Sequence, residues 1–169
     1  YTFLHTLSLH DALPIYRFDN HWQLNATMFY TYGYGYYNQY KEDAWLAGYL
    51  NLATDKEQGD LIRHKIMRNH LGGANLAAHY TTSALDLTFG GSWSYYTCPH
   101  WGTLSWVDGL DKGDIGGRWY DNDVTKQDAN AFVRADWSVF RGLMDNSLHL
   151  FADLQYRYVH YKAWGTNDN

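Results

Sequence analysis

The sequence predicts an all-β protein, an antiparallel up-and-down transmembrane β-barrel of which this chain supplies about five strands. Three observations predict it. Apolar and polar residues alternate over long runs, the connections between runs alternate short and long, and aromatic rings gather at both ends of the apolar phase. A period of two sends successive side chains to opposite faces of a strand. Soluble strands usually stop at about 5–6 residues, whereas a tilted strand crossing a bilayer needs about 9–11.

The first run, Trp22 to Tyr32, places Trp22, Leu24, Ala26, Met28, Tyr30 and Tyr32 opposite Gln23, Asn25, Thr27 and Thr31. A shorter run, Ala74 to Tyr80, sets Ala74, Leu76, Ala78 and Tyr80 against Asn75 and His79. In Leu85 to Tyr95 the apolar phase is Leu85, Leu87, Phe89, Trp93 and Tyr95, against Asp86, Thr88, Ser92 and Ser94. Ala129 to Val139 carries Ala129, Ala131, Val133, Ala135, Trp137 and Val139 opposite Asn130, Arg134, Asp136 and Ser138. The last run has Leu148, Leu150, Ala152, Leu154, Tyr156 and Tyr158 on one face and His149, Asp153, Gln155 and Arg157 on the other. Phe29, Phe132 and Phe151 fall on the polar phase and break the rule.

Residues 81–84 and 140–147 are short connections, whereas Tyr34 to Asp60 and Thr97 to Gln127 read as long, polar, glycine-bearing loops. Short periplasmic turns alternating with long extracellular loops are the habit of outer-membrane barrels. Within the long loops, Thr103 to Val107 is expected to extend a strand, and Asp43 to Leu52 to form a strand or a short helix. On the apolar phase Trp22, Tyr80 and Trp137 lie near the short-turn end, and Tyr30, Tyr32, Trp93, Tyr95, Tyr156 and Tyr158 near the long-loop end. Eight to ten residues separate the two rows on the first run, roughly 26–33 Å of strand. Tilted by about 40–45°, that projects to roughly 18–25 Å, the height of an apolar band between aromatic girdles.

Composition agrees. Tyr (16) and Trp (8) are abundant and Pro (2) is scarce, as suits strands whose rings sit at a boundary between dry and wet. A mean hydropathy of −0.53 is compatible with a barrel, because half of each strand faces a polar interior. No run reaches the ~18 apolar residues of a membrane helix. A single cysteine, Cys98, excludes an internal disulfide framework. The net charge of −5, without a basic patch interleaved by rings, argues against nucleic acid as a partner.

Residues 1–15 stand apart. They lack the basic region, uninterrupted apolar stretch and cleavage site of a signal peptide. Thr6 to Ile15 resembles one frame of a common sequencing adapter translated as protein, so 1–15 are expected to be an artefact and 16–169 the barrel portion. The chain is expected to be an internal piece of a longer protein.

The segment Tyr30-Thr31-Tyr32-Gly33-Tyr34-Gly35-Tyr36-Tyr37-Asn38-Gln39-Tyr40-Lys41-Glu42-Asp43 resembles a stretch of barrel in TonB-dependent outer-membrane receptors, particularly those of Bacteroidota. Asp60-Leu61-Ile62-Arg63-His64-Lys65 through Gly72-Gly73, and Leu154 to Lys162, resemble later stretches in the same order. Asn69-His70-Leu71 departs from the pattern, where an aromatic is expected ahead of Gly72. The resemblance implies a barrel of about 22 strands with an N-terminal plug. It implies outer-membrane uptake of a bulky nutrient, a siderophore, cobalamin or glycan, with energy from TonB gripping a plug region that this sequence does not contain. A surface lipoprotein is a possible partner, and outer-membrane lipid surrounds the whole.

Chemistry is sparse by comparison. His64, His70, His79, His100, His149 and His160, with Asp86, Asp136 and Asp153, form no tight ligand motif, and neither a cofactor nor a metal is expected. Asp121 and Asp123 read as solvated loop acids. Arg134 with Asp136, and Arg157 with Asp153, read as charges lining the interior. Loop aromatics Tyr36, Tyr37, Tyr40, Trp101, Trp106, Trp119 and Tyr120 are candidates for ligand contact, with self-packing of the loops as the alternative. No catalytic nucleophile or acid pair stands out, so a transporter is expected rather than an enzyme. A barrel enzyme or adhesin, and a soluble carbohydrate-binding β-sandwich, are the competing readings. A sandwich calls for shorter strands and branched aliphatics on its inner face.

Overall fold

The computed structural model of the chain describes residues 2–10, 15–49, 52, 54–141 and 147–166. They form one eight-stranded antiparallel sheet. In chain order the strands are β1 (Thr2–His10), β2 (Ile15–Arg17), β3 (Trp22–Trp45), β4 (Gln58–Thr81), β5 (Leu85–Thr97), β6 (His100–Val107), β7 (Tyr120–Arg141) and β8 (Ser147–Gly165). The sheet is a meander. β1 and β2 pair with β3, β3 with β4, β4 with β5 and β6, both of these with β7, and β7 with β8. The five alternating runs therefore become β3, β4, β5, β7 and β8.

Directly opposed residues in antiparallel strands carry their side chains on the same face. Trp22 lies opposite Tyr80, Tyr80 opposite Leu87, Leu87 opposite Ala135, and Ala135 opposite Ala152. Further along, Met28 faces Ala74, Ala74 faces Trp93, Trp93 faces Ala129, and Ala129 faces Tyr158. Every apolar phase thus lands on one face, which holds no Asp, Glu, Lys or Arg between Trp22 and Tyr32, Ala74 and Tyr80, Leu85 and Tyr95, Ala129 and Val139, or Leu148 and Tyr158. A one-residue slip in any ladder would invert that strand, so five separate alternations agree on a single register.

The strands outrun the alternation. β3 and β4 are 24 residues each, and they stay paired up to Trp45 opposite Gln58. The long loop expected from Tyr34 to Asp60 is therefore mostly strand, and the connection shrinks to residues 46–57. Beyond Tyr32 both phases mix tyrosine with polar side chains, so hydropathy loses its period although tyrosine still favours extended backbone. Asp43 to Leu52 divides between the end of β3 and a single 3-10 turn at Leu46–Gly48, with Leu52 bridged to Ile115.

The second expected loop, Thr97 to Gln127, is likewise mostly strand. Thr103 to Val107 lies within β6 as expected, while β7 begins at Tyr120 and leaves 108–119 as the connection. β5 and β6 continue one another between β4 and β7, interrupted at Cys98 and Pro99. Proline cannot donate to a ladder, and the interruption still keeps its bonds: Cys98 N–H donates to Val124 O at 2.8 Å and Arg68 N–H to Pro99 O at 3.0 Å.

At the other end, the tight turn expected at 81–84 is held by Thr82, whose hydroxyl accepts from Leu85 N–H at 2.9 Å. Arg141 pairs with Ser147 at the foot of β7 and β8, and residues 142–146 between them lie outside the described residues. Residues 2–10 run as β1 along β3, although 1–15 follow none of the alternation. Pairing of this kind is open to any extended segment beside an unpaired sheet edge, whatever its origin.

The off-phase phenylalanines have local reasons. Phe29 lies opposite Gly73 and Phe132 opposite Gly90, and the Phe29 ring covers the position that Gly73 leaves without a side chain. A Cβ at Gly73 would stand 2.5 Å from Phe29 Cζ and 2.6 Å from the Trp93 carbonyl oxygen. Gly73→Ala is expected to cost about 1–3 kcal/mol by overpacking, measured as a lowered denaturation midpoint of the intact protein. Phe151 instead lies beneath Arg134, whose Cζ is 5.7 Å from its ring centroid.

Candidate functional site

The apolar face carries its rings in two rows. At the turn end Trp22 packs on Tyr80 with centroids 4.8 Å apart and meets Phe89 edge-on at 6.2 Å, and Trp137 stands opposite Leu85 and Leu150. At the loop end Trp93 and Tyr95 stack at 6.5 Å, with Tyr30 and Tyr32 on β3 and Tyr156 and Tyr158 on β8. His70 fills the place where an aromatic is expected. It lies 5.1 Å from the Tyr32 ring and its Nδ1 hydrogen-bonds the Tyr30 hydroxyl at 2.7 Å.

The opposite face is a hydrogen-bonded polar surface. His79 bridges three strands through Asn25 and Thr88, at 3.2 and 3.0 Å. Arg157 donates to both carboxylate oxygens of Asp128, at 3.0 and 2.5 Å, and Lys126 approaches the same carboxylate at 3.6 Å. Arg134 donates to Asp153 at 3.1 and 3.0 Å, and His149 to Asp136 at 3.1 Å. The expected charges are present, and both arginines find their carboxylates across strands, Arg134 on Asp153 and Arg157 on Asp128. Arg134 and Asp153 are directly opposed, about 4.5–5.5 Å between Cβ atoms, whereas Arg157 with Asp128 and His149 with Asp136 are diagonal neighbours that their longer side chains bridge. Asp128, Asn130, Arg134, Asp153, Gln155 and Arg157 line a shallow polar concavity there.

Beyond the loop-end ring row the two faces diverge again. On the polar-face side, Leu46, Tyr49, Leu61, Val107, Trp119 and Tyr120 form a small buried core, with Leu52, Leu104, Leu110 and Ile115 packed against it. The two connections supply Leu46, Tyr49 and Trp119, and the extended strands supply the rest. Tyr49 meets Trp119 edge-on at 5.1 Å, and Trp119 meets Tyr120 at 4.4 Å. Both rings fit because Gly102 lies beneath them: a Cβ there would come 2.5 Å from Trp119 Nε1. Arg63 is buried under this core, donates to Gln39 Oε1 at 2.5 Å and holds its Cζ 5.5 Å from the Trp119 ring. Lys65 Nζ stands 5.3 Å from the same ring and 5.4 Å from Tyr120.

The seven loop aromatics therefore separate. Trp119 and Tyr120 are buried by self-packing of the connections. Tyr37 shares their face, being opposite Lys65, which lies opposite Gly102. Tyr36, Tyr40, Trp101 and Trp106 lie on the continuation of the apolar face, through the pairs Tyr36 with Ile66, Ile66 with Trp101, Tyr40 with Ile62, and Ile62 with Trp106. Tyr36 packs on His64 at 4.8 Å. Sequence reasoning missed Arg63, Lys65, Gln39 and Tyr49. Leu61, Arg63 and Lys65 do alternate with Ile62 and His64, which is the signal that marks them as one face.

Asp60 ties the hairpin tip together. It accepts from the Tyr40 hydroxyl, and from Asp43 N–H at 3.0 Å, where the chain bulges between Lys41 and Ala44 and Asp43 takes a φ of 46°. The Tyr40 bond and then the Asp43 N–H hold the Asp60 carboxyl below its ordinary value, and the same contact pushes Tyr40 up to about 12. A depressed carboxyl stabilises the fold above its unfolded value and loses that contribution as pH falls through the folded one. Proteolytic cleavage in 46–57 is expected to rise as pH drops below the ordinary carboxylate value of 3.8, and Asp60→Asn to cleave at neutral pH as the parent does in acid.

No family model matches the chain, and no curated protein sequence matches it. Among the described residues no three His, Cys, Asp or Glu side chains converge as a metal site. What the geometry offers is a wall: one uncharged face edged by rings, one charged face, and a ring-and-cation cluster where the strands rise past both.

Proposed function

We propose that this chain is part of the barrel wall of an outer-membrane active transporter of the TonB-dependent kind, taking up a bulky nutrient such as a siderophore, cobalamin or glycan. The observation that carries the proposal is the single uncharged face between two ring rows. Such a face suits lipid tails with rings at both interfaces, while the opposite face suits a polar interior. A protein core would instead be covered by a second layer, and no strand of the described residues packs over this face. The resemblance of Tyr30 to Asp43, Asp60 to Gly73 and Leu154 to Lys162 to receptor barrels supplies the class of machine.

On this reading β3, β4, β5, β7 and β8 cross the bilayer, the ends where β4 meets β5 and β7 meets β8 face the periplasm, and the opposite ends of these strands face outward. The buried core around Trp119 then shapes the inner rim of the mouth. Lys65, laid on its rings, presents positive charge toward the interior, while Arg63 lies buried beneath them. Energy comes from TonB acting on a plug, and the part described here contributes the passage wall and no catalysis.

The test starts from source DNA. The reading frame continuous with this sequence is expected to encode a signal peptide, a plug and a TonB-binding segment. Deleting that gene, or TonB alone, is expected to abolish growth when iron siderophore, cobalamin or glycan is the limiting nutrient. A complete gene for a short eight-stranded barrel, or uptake indifferent to TonB, would overturn the proposal.

A further inference from the structure

Two cations stand just past the loop-end ring row on the apolar face, each laid on a tryptophan. Arg68 lies opposite Tyr34, two residues beyond Tyr32, and its Cζ is 5.6 Å from the Trp101 ring. Lys162 lies opposite Thr125, four residues beyond Tyr158, and its Nζ is 5.1 Å from the Trp164 ring. Both are exposed, and neither has a carboxylate within ion-pair reach among the described residues. Arg118 flanks the same Trp101 ring at 4.4 Å, but Asp121 takes its charge at 2.5 Å. Asp123 lies opposite Trp164 on this face, and among the described residues it is in no ion pair with either cation.

We propose that Arg68 and Lys162, seated on Trp101 and Trp164, bind the phosphate headgroups of anionic lipid in the leaflet at the loop end. The inference rests on the membrane reading of the apolar face and goes beyond it by assigning a lipid chemistry. Its argument is one of height and charge. If the rings of Tyr32, Tyr95 and Tyr158 mark the edge of the hydrocarbon, a residue two to four positions further along a strand stands roughly 7–13 Å higher before tilt, among headgroups. A cation resting on a ring face keeps its charge oriented without a carboxylate partner. Arg68 and Lys162 are the first Lys or Arg above the uncharged band on β4 and β8 of this face, and such residues next to an anionic surface attract it. The rings also shield the apolar stems of both side chains.

The experiment uses the full-length protein in a nonionic detergent. Retention of short-chain phosphatidic acid and of phosphatidylcholine is compared by native mass spectrometry, with inorganic phosphate as competitor. Quenching of tryptophan by lipids brominated on the acyl chain reports insertion of the apolar face in the same preparations. The parent is expected to prefer the anionic lipid, and R68Q with K162Q to lose roughly twenty-fold of that preference while quenching is unchanged. An Arg118→Gln control is expected to keep the preference, because its charge is already paired. Normal quenching with equal retention of both lipids would overturn the headgroup site and leave the membrane reading standing. Absence of quenching would overturn both, and full displacement by inorganic phosphate would show a site for a soluble anion instead.

Discussion

Val133→Arg is expected to cost about 2–4 kcal/mol of folding free energy in lipid, while Arg134→Ala, one residue away, costs little. Val133 sits mid-run on the uncharged face, between Phe89 and Leu154 on its neighbouring strands. If that face meets lipid, as proposed, a guanidinium there would have neither water nor a partner. Arg134 points to the other face and donates to Asp153, with its own side chain 58% exposed, so its loss removes a solvated pair of small net worth. Urea titration of the full protein refolded into vesicles measures both. Equal tolerance at the two positions would remove lipid from the account of this face, because a sheet wetted on both sides does not distinguish them.

Trp119→Ala is expected to have an effect of similar or larger size, about 3–5 kcal/mol, but confined to the loop end. Trp119 is 5% exposed, packs on Tyr49 and Tyr120, and backs the guanidinium of Arg63. Removing it leaves a cavity and strips a buried cation of the ring that faces it. Proteolysis within 46–57 and 108–119 is the readout, with rapid cleavage expected in the variant. Migration of the folded sheet in a gel run without heating is expected to stay unchanged, since the uncharged band makes no contact with this core. Gly102→Val reaches the same outcome from beneath, because its side chain would enter the space of Trp119 and Tyr120.

The two-faced sheet was legible in the sequence because a period of two needs no knowledge of neighbours. Leu148 to Tyr158 declares its faces alone, and four other runs repeat the pattern. Strand length was less legible. From Tyr34 to Trp45 neither phase is apolar, so the extension of β3 is visible only through its partner, which stays in register back to Gln58. The core around Trp119 was least legible. It depends on β6 taking up a second stretch of β4 after the Cys98 and Pro99 interruption, which brings Gly102 beside Lys65 and Tyr120. Trp119 and Tyr120 read equally well as ligand contacts or as packing, and only a three-strand juxtaposition separates the two. The cation seats on Trp101 and Trp164 were invisible for the same reason in the first case, where Arg68 reaches across strands, and for want of a motif in the second.

The continued pairing of β3 and β4 past the ring row has a mechanical consequence. Roughly a dozen residues of strand, about 40 Å at 3.3 Å each, separate Tyr32 from the connection after Trp45. Such a stalk fixes where its tip stands without help from the tip's own sequence. Residues 46–57 and 108–119 can therefore change in sequence without disturbing the register of the paired strands below them.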